Sequence, residues 1–166
     1  VSWARDVYKR QNLKYLKNIS KYWITKYNWK KFENKINSFK NYKTKVEDIN
    51  LHFIFEKSKN PNSKQLLLLH GWPGSITEFL DIIPRLAHPE KFGGKIEDGF
   101  DVIVPSLPGF GFSSQIKKAL GPRKIGKILN KFMVKNLGYK NYFVQGGDWG
   151  ATIAAVSYTH LTLPTN

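Results

Sequence analysis

Three short apolar segments, each followed closely by a turn rich in glycine or proline, constrain the fold more than any other feature. They are 65–69 (QLLLL), 100–104 (FDVIV) and 142–145 (YFVQ). Unbroken apolar runs of this length are typical of strands buried on both faces of a parallel sheet. The stretches between these three segments have the apolar periodicity of helices. The order strand, helix, strand, helix, strand therefore predicts an α/β fold whose parallel strands are joined by right-handed crossovers.

Two stretches between these strands show the apolar spacing of amphipathic helices. Ser75 can cap the first, which ends near Ala87, and Pro84 is expected to kink or split it. The second begins at Pro122 and is stopped by Gly138. The predicted inward positions are Ile76, Phe79, Leu80, Ile83 and Leu86 in the first helix and Ile125, Ile128, Leu129, Phe132 and Met133 in the second.

The segment that precedes the first of these strands has a different organisation. Residues 12–27 have the periodicity of an amphipathic helix, and a weaker helical pattern follows at about 32–39. Residues 46–55 then alternate as a strand does, and 57–64 is a polar turn.

The formal net charge of +15 is concentrated in this N-terminal segment. Residues 1–65 contain 16 Lys and Arg against 5 Asp and Glu, a net of +11, whereas residues 66–166 carry a net of +4. A basic surface with exposed aromatic rings can bind nucleic acid or an anionic membrane, so a non-catalytic basic binding module stays open as an alternative. No nucleic-acid-binding motif accompanies the charge, which makes nucleic acid the less favoured partner.

In the favoured interpretation, the aromatic side chains of this segment pack inward and the lysines face solvent. The aromatic residues concerned are Trp3, Tyr8, Tyr15, Tyr22, Trp23, Tyr27, Trp29 and Phe32.

Cysteine is absent from the 166 residues, which excludes disulfides, thiolate zinc sites and a cysteine nucleophile. No apolar run approaches the roughly 20 residues that a transmembrane helix needs. The first residues also lack the apolar centre of a signal peptide. The sequence therefore predicts a soluble chain.

The third strand leads into the stretch 145–151, QGGDWGA, which has the spacing of a nucleophile elbow. An elbow is a sharp strand-to-helix turn with small residues two before and two after the nucleophile, and Gly146 and Gly150 occupy those positions. Asp148 stands where a serine esterase carries its serine. A carboxylate at the positive end of a helix stays ionised and can open a strained ring or displace a halide, leaving an ester. The alternative is a tight turn in which Asp148 only caps the helix.

Hydrolysis of such an ester passes through an oxyanion, which backbone N–H groups stabilise. The elbow supplies one N–H group from Trp149, the residue after the nucleophile. We assign the second to Trp72, in the turn after the first strand, and loss of one such donor typically costs about 3 kcal/mol in the barrier. Taken alone, His70 could equally be a core histidine. The supporting motif residues are His70, Gly71, Pro73, Gly74, Gly146, Gly147 and Gly150.

Several motifs, in this order, resemble the microsomal-type epoxide hydrolases, a group that includes the juvenile hormone epoxide hydrolases and belongs to the α/β-hydrolase superfamily. They are the lead-in 22–55, HGWPGS at 70–75, PSLPGFGFS at 105–113 and LGYKNYFVQGGDWGA at 137–151. The resemblance runs from about residue 12 to residue 155. It implies the N-terminal part of an α/β-hydrolase fold, truncated after the nucleophile elbow.

The resemblance also implies a division of the chain. Residues 12–60 correspond to the epoxide hydrolase N-terminal region, and residues 61–155 to the first part of the α/β-hydrolase core. The segments 1–11 and 156–166 do not resemble the family, and we interpret both as sequence foreign to it.

In the family mechanism implied by this resemblance, Asp148 attacks the less hindered carbon of a small hydrophobic epoxide, and two lid tyrosines protonate its oxygen. A later histidine, held by an acid, then activates water against the ester, and the product is a vicinal diol. No cofactor and no metal ion is implied. The two tyrosines cannot be mapped onto the chain, because the lid should follow the elbow. The base histidine cannot be mapped either, because His52 and His88 precede the elbow and His160 follows it too closely. These three are interpreted as surface or structural histidines, and the chain alone is expected to be inactive.

Haloalkane dehalogenases also place a tryptophan after a nucleophilic aspartate, so a dehalogenase-like hydrolase stays open beside the epoxide hydrolase. Family members that associate with microsomal membranes carry an anchor upstream of the resembling region. The location of the parent protein is therefore left between the endoplasmic reticulum membrane and the cytoplasm.

Overall fold

The computed structural model describes residues 12–158. Two units divide the chain, Val1–Lys35 and Ile36–Asn166. The predicted foreign segment 1–11 lies outside the described residues. So do residues 159–166, and with them His160, from the predicted segment 156–166.

The described part of the first unit contains helix α1 (Leu13–Lys26) and the start of helix α2 (Trp29–Asn37). Asn12 caps α1, because its side-chain Oδ1 accepts from the backbone N–H of Tyr15 at 3.2 Å. Both predicted helices are therefore confirmed. No helix within residues 12–158 is long and apolar enough to cross a membrane.

The apolar side chains of this unit are exposed to solvent. Trp23 is 66% exposed and Ile24 86%, and the other aromatic side chains on these helices are exposed as well. Within this unit the prediction that they pack inward is wrong for residues 12–35, because its two helices offer each other too little surface to bury them. The exposed aromatic residues are Tyr15, Tyr22, Trp23, Tyr27, Trp29 and Phe32.

The second unit opens with a hairpin that the sequence shows only in part. Strand β1 (Asn41–Val46) pairs antiparallel with strand β2 (Ile49–Glu56), and Glu47 in the turn between them has a φ of 56°. Residues 46–55 were predicted as one strand, but Val46 belongs to β1. Strand β1 lacks an apolar signal because its sequence, NYKTKV, lies at the edge of the sheet and faces solvent at most positions.

Five strands form one sheet in the order β1-β2-β4-β3-β5. Strands β3 (Lys64–Leu69), β4 (Phe100–Pro105) and β5 (Phe143–Gly146) are mutually parallel, as the apolar runs predict, with β3 between the other two. Strand β2 joins β4 antiparallel, so the sheet as a whole is mixed. The α/β fold class is confirmed.

Short helical segments connect the parallel strands. Ser75 caps a 3₁₀ turn (Ile76–Phe79), and helix α3 (Ile83–Ala87) follows with Pro84 in its first turn, so the predicted helix is split at this proline. Helix α4 (Pro122–Lys131) continues into a π-helical turn (Phe132–Asn136), and Gly138 then takes a φ of 80°. Helix α5 (Trp149–Tyr158) follows β5 directly.

Apolar side chains cover both faces of the sheet. One cluster joins strand residues such as Leu51 and Leu67 to Leu129 and Phe132 of the α4 region and Ile153 of α5. A second cluster on Ile54, Leu68, Val102 and Val104 receives Ile76, Leu80 and Ile83. The central strands are thus fixed from two sides, and their carboxyl ends are held in place.

Candidate active site

The turn between β5 and α5 has the backbone geometry of an elbow. Strand β5 ends at Gly146, α5 begins at Trp149, and Asp148 between them has a φ of 50°. A residue with a side chain adopts such a positive φ only rarely, and residues that do so occur in tight turns and cluster at active sites. The turn leaves the Asp148 side chain exposed at the carboxyl end of the sheet.

Two glycines make this turn possible because other backbone passes too close for a side chain. A Cβ atom on Gly146 would collide with the backbone of Gly150. A Cβ atom on Gly150 would in turn collide with the backbone carbonyl of Leu69, at the end of β3. The predicted small residues on either side of Asp148 therefore have a steric reason, whereas Gly147 between them has open space around its Cβ position.

The turn after β3 meets Asp148 at the carboxyl end of the sheet. The backbone N–H of Trp72 donates to Oδ1 of Asp148 at 2.8 Å. Gly71 permits this approach, since a Cβ atom there would lie 2.7 Å from Cβ of Asp148. The structure thus brings together Gly71, Trp72, Asp148 and Trp149.

Backbone hydrogen bonds set the ionisation of Asp148. The N–H of Trp72, and after it the N–H of Trp149, lower the pKa of Asp148 below its ordinary value, against a smaller opposing effect of burial. The carboxylate is therefore ionised at neutral pH. Trp72 and Trp149 are themselves 65% and 45% exposed, so the surroundings of Asp148 include open apolar surface.

His70 has no free nitrogen to offer the reaction. It is completely buried, its Nδ1 lies 2.9 Å from the carbonyl oxygen of Gly71, and its Nε2 accepts from the backbone N–H of Leu107 at 3.0 Å. Because Nε2 accepts, the proton resides on Nδ1 and is donated to Gly71. Burial lowers the pKa of His70, more than the Gly71 carbonyl and the Glu78 carboxylate raise it, so the ring is neutral. Two motif residues remain. The peptide bond between Trp72 and Pro73 is cis, and Gly74 closes the turn by donating to the carbonyl of Gly71 at 3.1 Å.

The other described histidines are also engaged within the fold. His52 is buried between Ser106 and Asn41, and burial, with a smaller effect of Lys43, lowers its pKa to about 4. His88 pairs through Nε2 with Oε1 of Glu56 at 2.8 Å. Both fit the interpretation of structural histidines.

Leu107 and Ser106 are the contacts that sequence reasoning missed. They belong to the PSLPGFGFS motif, yet nothing in its spacing indicates that its second and third residues bond to histidines 54 and 37 positions away. The structural role of this motif depends on contacts with residues that are distant in the sequence.

The α/β-hydrolase fold family matches residues 64–159 of this chain, and that range contains the Trp72 and Asp148 turns. The chain belongs to the α/β-hydrolase fold family. The family described as epoxide hydrolase N terminus matches residues 4–79, which confirms the resemblance to epoxide hydrolases. The two matched ranges overlap each other, and their ends do not coincide with the predicted domain boundaries at residues 12, 60 and 155. Those boundaries stay predictions.

Named relatives support the same resemblance. Epoxide hydrolase 1 of Oryctolagus cuniculus is 42% identical over 147 residues, which are 86% of this chain and 32% of the relative. Among solved structures, juvenile hormone epoxide hydrolase of Bombyx mori has a TM-score of 0.77 at 38% identity, covering 89% of this chain and 35% of that one. Aspergillus niger epoxide hydrolase has a TM-score of 0.75 at 32% identity, and the match covers 86% of this chain and 37% of that one. The chain spans about a third of the length of the curated relatives it matches.

Proposed function

We propose that Asp148 is the nucleophile of an epoxide hydrolase, which converts a small hydrophobic epoxide and water to a vicinal diol. The observation that carries the proposal is the hydrogen bond from the Trp72 N–H to Oδ1 of an aspartate held at a φ of 50°. This arrangement presents an ionised carboxylate beside backbone donors. The names of the relatives, which include mammalian and insect epoxide hydrolases, support the choice of epoxide over other electrophiles.

The hydrogen bond assigns different tasks to the two carboxylate oxygens. Oδ1 is occupied by the Trp72 N–H, so Oδ2 attacks an epoxide carbon. A C–O bond forms to Oδ2, the ring C–O bond breaks, and its electron pair goes to the epoxide oxygen, which takes up a proton. The product of this step is an ester of Asp148 whose carbonyl oxygen is Oδ1.

The second step uses the same donors. Water, losing a proton, attacks Cγ of Asp148, and the negative charge of the tetrahedral intermediate develops on Oδ1. The N–H groups of Trp72 and Trp149 stabilise this charge, and preorganised donors of this kind are each worth roughly 3 kcal/mol. Collapse of the intermediate releases the diol and restores the carboxylate.

We propose further that the 166-residue chain by itself stops at the ester. A base is needed to take the proton of the attacking water. Within residues 12–158, His52 and His70 have both ring nitrogens hydrogen-bonded inside the fold, and His88 pairs with Glu56. The lid tyrosines, base and acid that the family resemblance implies are not assigned to any residue here. Association with a membrane through an upstream anchor likewise remains part of the proposal for a longer parent protein.

Intact-mass measurement after incubation with styrene oxide tests both proposals. We expect a single covalent adduct that maps to Asp148, is cleaved by hydroxylamine as an ester is, and is absent from Asp148→Asn. Catalytic release of diol over many turnovers would contradict the claim that the chain stops at the ester. Adduct formation at other residues only would contradict the nucleophile assignment.

Parallel measurements address the alternatives. A chlorinated alkane offered under the same conditions should give no Asp148 adduct if the site is built for epoxides, whereas preferential reaction with it would favour a dehalogenase. Binding to DNA or to anionic vesicles that weakens steeply with salt would instead favour the basic binding module.

A further inference from the structure

The loop after β4, residues 106–114 and here called the serine loop, is bound to β2 by a closed set of hydrogen bonds. The N–H of Ser106 donates to the His52 carbonyl at 2.9 Å, and the N–H of His52 donates to Oγ of Ser113 at 2.9 Å. The Ser113 hydroxyl then donates to the Ser106 carbonyl at 2.7 Å. A Cβ atom on Gly111 would lie 2.9 Å from Oγ of Ser106, so the loop folds tightly over this serine.

The side chain of His52 adds a directed hydrogen bond to this loop. Nδ2 of Asn41 donates to the carbonyls of Ile36 and Phe39 at 3.1 and 2.8 Å, so Oδ1 of Asn41 faces Nε2 of His52 at 2.9 Å. An amide oxygen can only accept, so Nε2 carries the imidazole proton. Nδ1 therefore accepts from the Ser106 hydroxyl at 2.9 Å. Ser106 is fully buried and His52 is 3% exposed, so the hydrogen bond between these two side chains is shielded from solvent.

Leu107, the next residue of the serine loop, is hydrogen-bonded to the second buried histidine, His70. The N–H of Leu107 donates to Nε2 of His70, and Nδ1 of His70 donates to the carbonyl of Gly71. The residue after Gly71 is Trp72, whose N–H is bonded to Asp148. Two buried neutral histidines, His52 on β2 and His70 after β3, thus hold two consecutive residues of the loop that follows β4, the strand between them.

We propose that His52 is a positioning residue for the oxyanion hole, although it touches neither Asp148 nor any space open to a substrate. It fixes Ser106, Ser106 fixes the peptide that carries the Leu107 N–H, and that N–H orients His70 and the turn that presents Trp72. A buried polar group must keep its hydrogen bonds, so a change at the His52 end is transmitted along the series. This proposal rests on the proposed role of the Trp72 N–H, but its test requires no turnover.

Two matched variants separate positioning from general stability. Ser106→Ala leaves Nδ1 of His52 without a partner on the side of the loop, and Asn41→Ala leaves Nε2 without one on the side away from it. Carbon-13 NMR of the folded 166-residue chain reports the pKa of the Asp148 carboxyl, which the Trp72 N–H keeps low. We expect this pKa to rise towards the ordinary aspartate value of about 3.9 in Ser106→Ala and to stay unchanged in Asn41→Ala.

The proposal is overturned if folded Ser106→Ala keeps the low pKa of Asp148, or if both variants raise it equally. Should Ser106→Ala fail to fold, Ser106→Cys keeps a weaker donor at the same position and is expected to raise the pKa of Asp148 above that of the unmodified chain, and an unchanged pKa in this variant would overturn the proposal. Nitrogen-15 shifts of the unmodified chain give a further check. Nε2 of His52 and Nδ1 of His70 should both be protonated, and the opposite tautomer at His52 would disprove the hydrogen bond on which the positioning depends. Failure of the unmodified chain to form an Asp148 ester, together with the expected rise of the Asp148 pKa in Ser106→Ala, would count against the proposed function and leave the positioning role standing.

Discussion

The backbone N–H of Trp72 lies 2.8 Å from Oδ1 of Asp148, across 76 positions of sequence. The contact exists because β3 and β5 are parallel neighbours, so the turns that follow them meet at the same edge of the sheet. The register places Leu69 opposite Gly146, and both turns begin immediately after this pair. The geometry at Asp148 therefore depends on strand pairing as much as on the local sequence of either turn.

Gly71→Ala should disturb this contact directly. The added Cβ would lie 2.7 Å from Cβ of Asp148, so the two turns must separate and the Trp72 hydrogen bond must lengthen. We expect the rate of Asp148 ester formation with styrene oxide to fall about 100-fold, the typical effect of a displacement of about 1 Å. Gly147→Ala is the matched control, because its Cβ would meet no atom within 4 Å, and an equal loss of rate there would contradict the steric explanation.

Gly146→Ala and Gly150→Ala should act on the fold itself. Their Cβ atoms would run into backbone, which cannot move away as a flexible side chain can. We expect each to lower the free energy of unfolding by about 1–3 kcal/mol, as overpacking typically does. Urea unfolding measures this, with Gly121→Ala as control because its Cβ position is open. Wild-type stability in both elbow variants would show that the turn is looser than the structure indicates.

The stability of the chain should fall in mild acid because of His52. Its pKa is about 4 in the folded state and 6.5 is the ordinary value, so the unfolded chain binds this proton first as the pH decreases. The stabilisation is complete above about pH 6.5 and is lost progressively as the pH falls through 4, by about 3 kcal/mol in all.

Urea unfolding at pH 7.5 and pH 4.5 measures this change, and His52→Gln should show a smaller difference between the two pH values. His70 contributes in the same direction to both chains, because burial lowers its pKa too, and it therefore cancels from the comparison. An identical pH dependence in the two chains would place the acid sensitivity elsewhere.

The elements whose structure depends on neighbouring residues in the sequence could be predicted from the sequence. The three parallel strands follow from their apolar runs, the split helix from Pro84, and the elbow from the glycines around Asp148. Strand β1 could not be predicted, because an edge strand with Lys43 and Lys45 in solvent has no apolar alternation. The contacts of Ser106 and Leu107 with His52 and His70 depend on which strands become neighbours, and no spacing within the chain encodes that order.

The two edges of the sheet should behave differently in solution. Strand β1 carries Lys43 and Lys45 at one edge, and lysines on an edge strand oppose pairing with another chain. Strand β5 at the other edge has the sequence FVQG, without charge or proline, and among residues 12–158 it pairs only with β3. Phe143 is 46% exposed there. We therefore expect the 166-residue chain to associate through β5 as its concentration rises, despite its net charge.

Sedimentation velocity at increasing protein concentration measures this association. Phe143→Lys should shift the chain towards monomer, because it places on β5 the kind of charge that β1 already has. Tyr42→Lys, at a similarly exposed position of the β1 edge, should leave the association unchanged. A chain that stays monomeric throughout, or an equal response to both substitutions, would show that the unprotected edge at β5 is not the route of association.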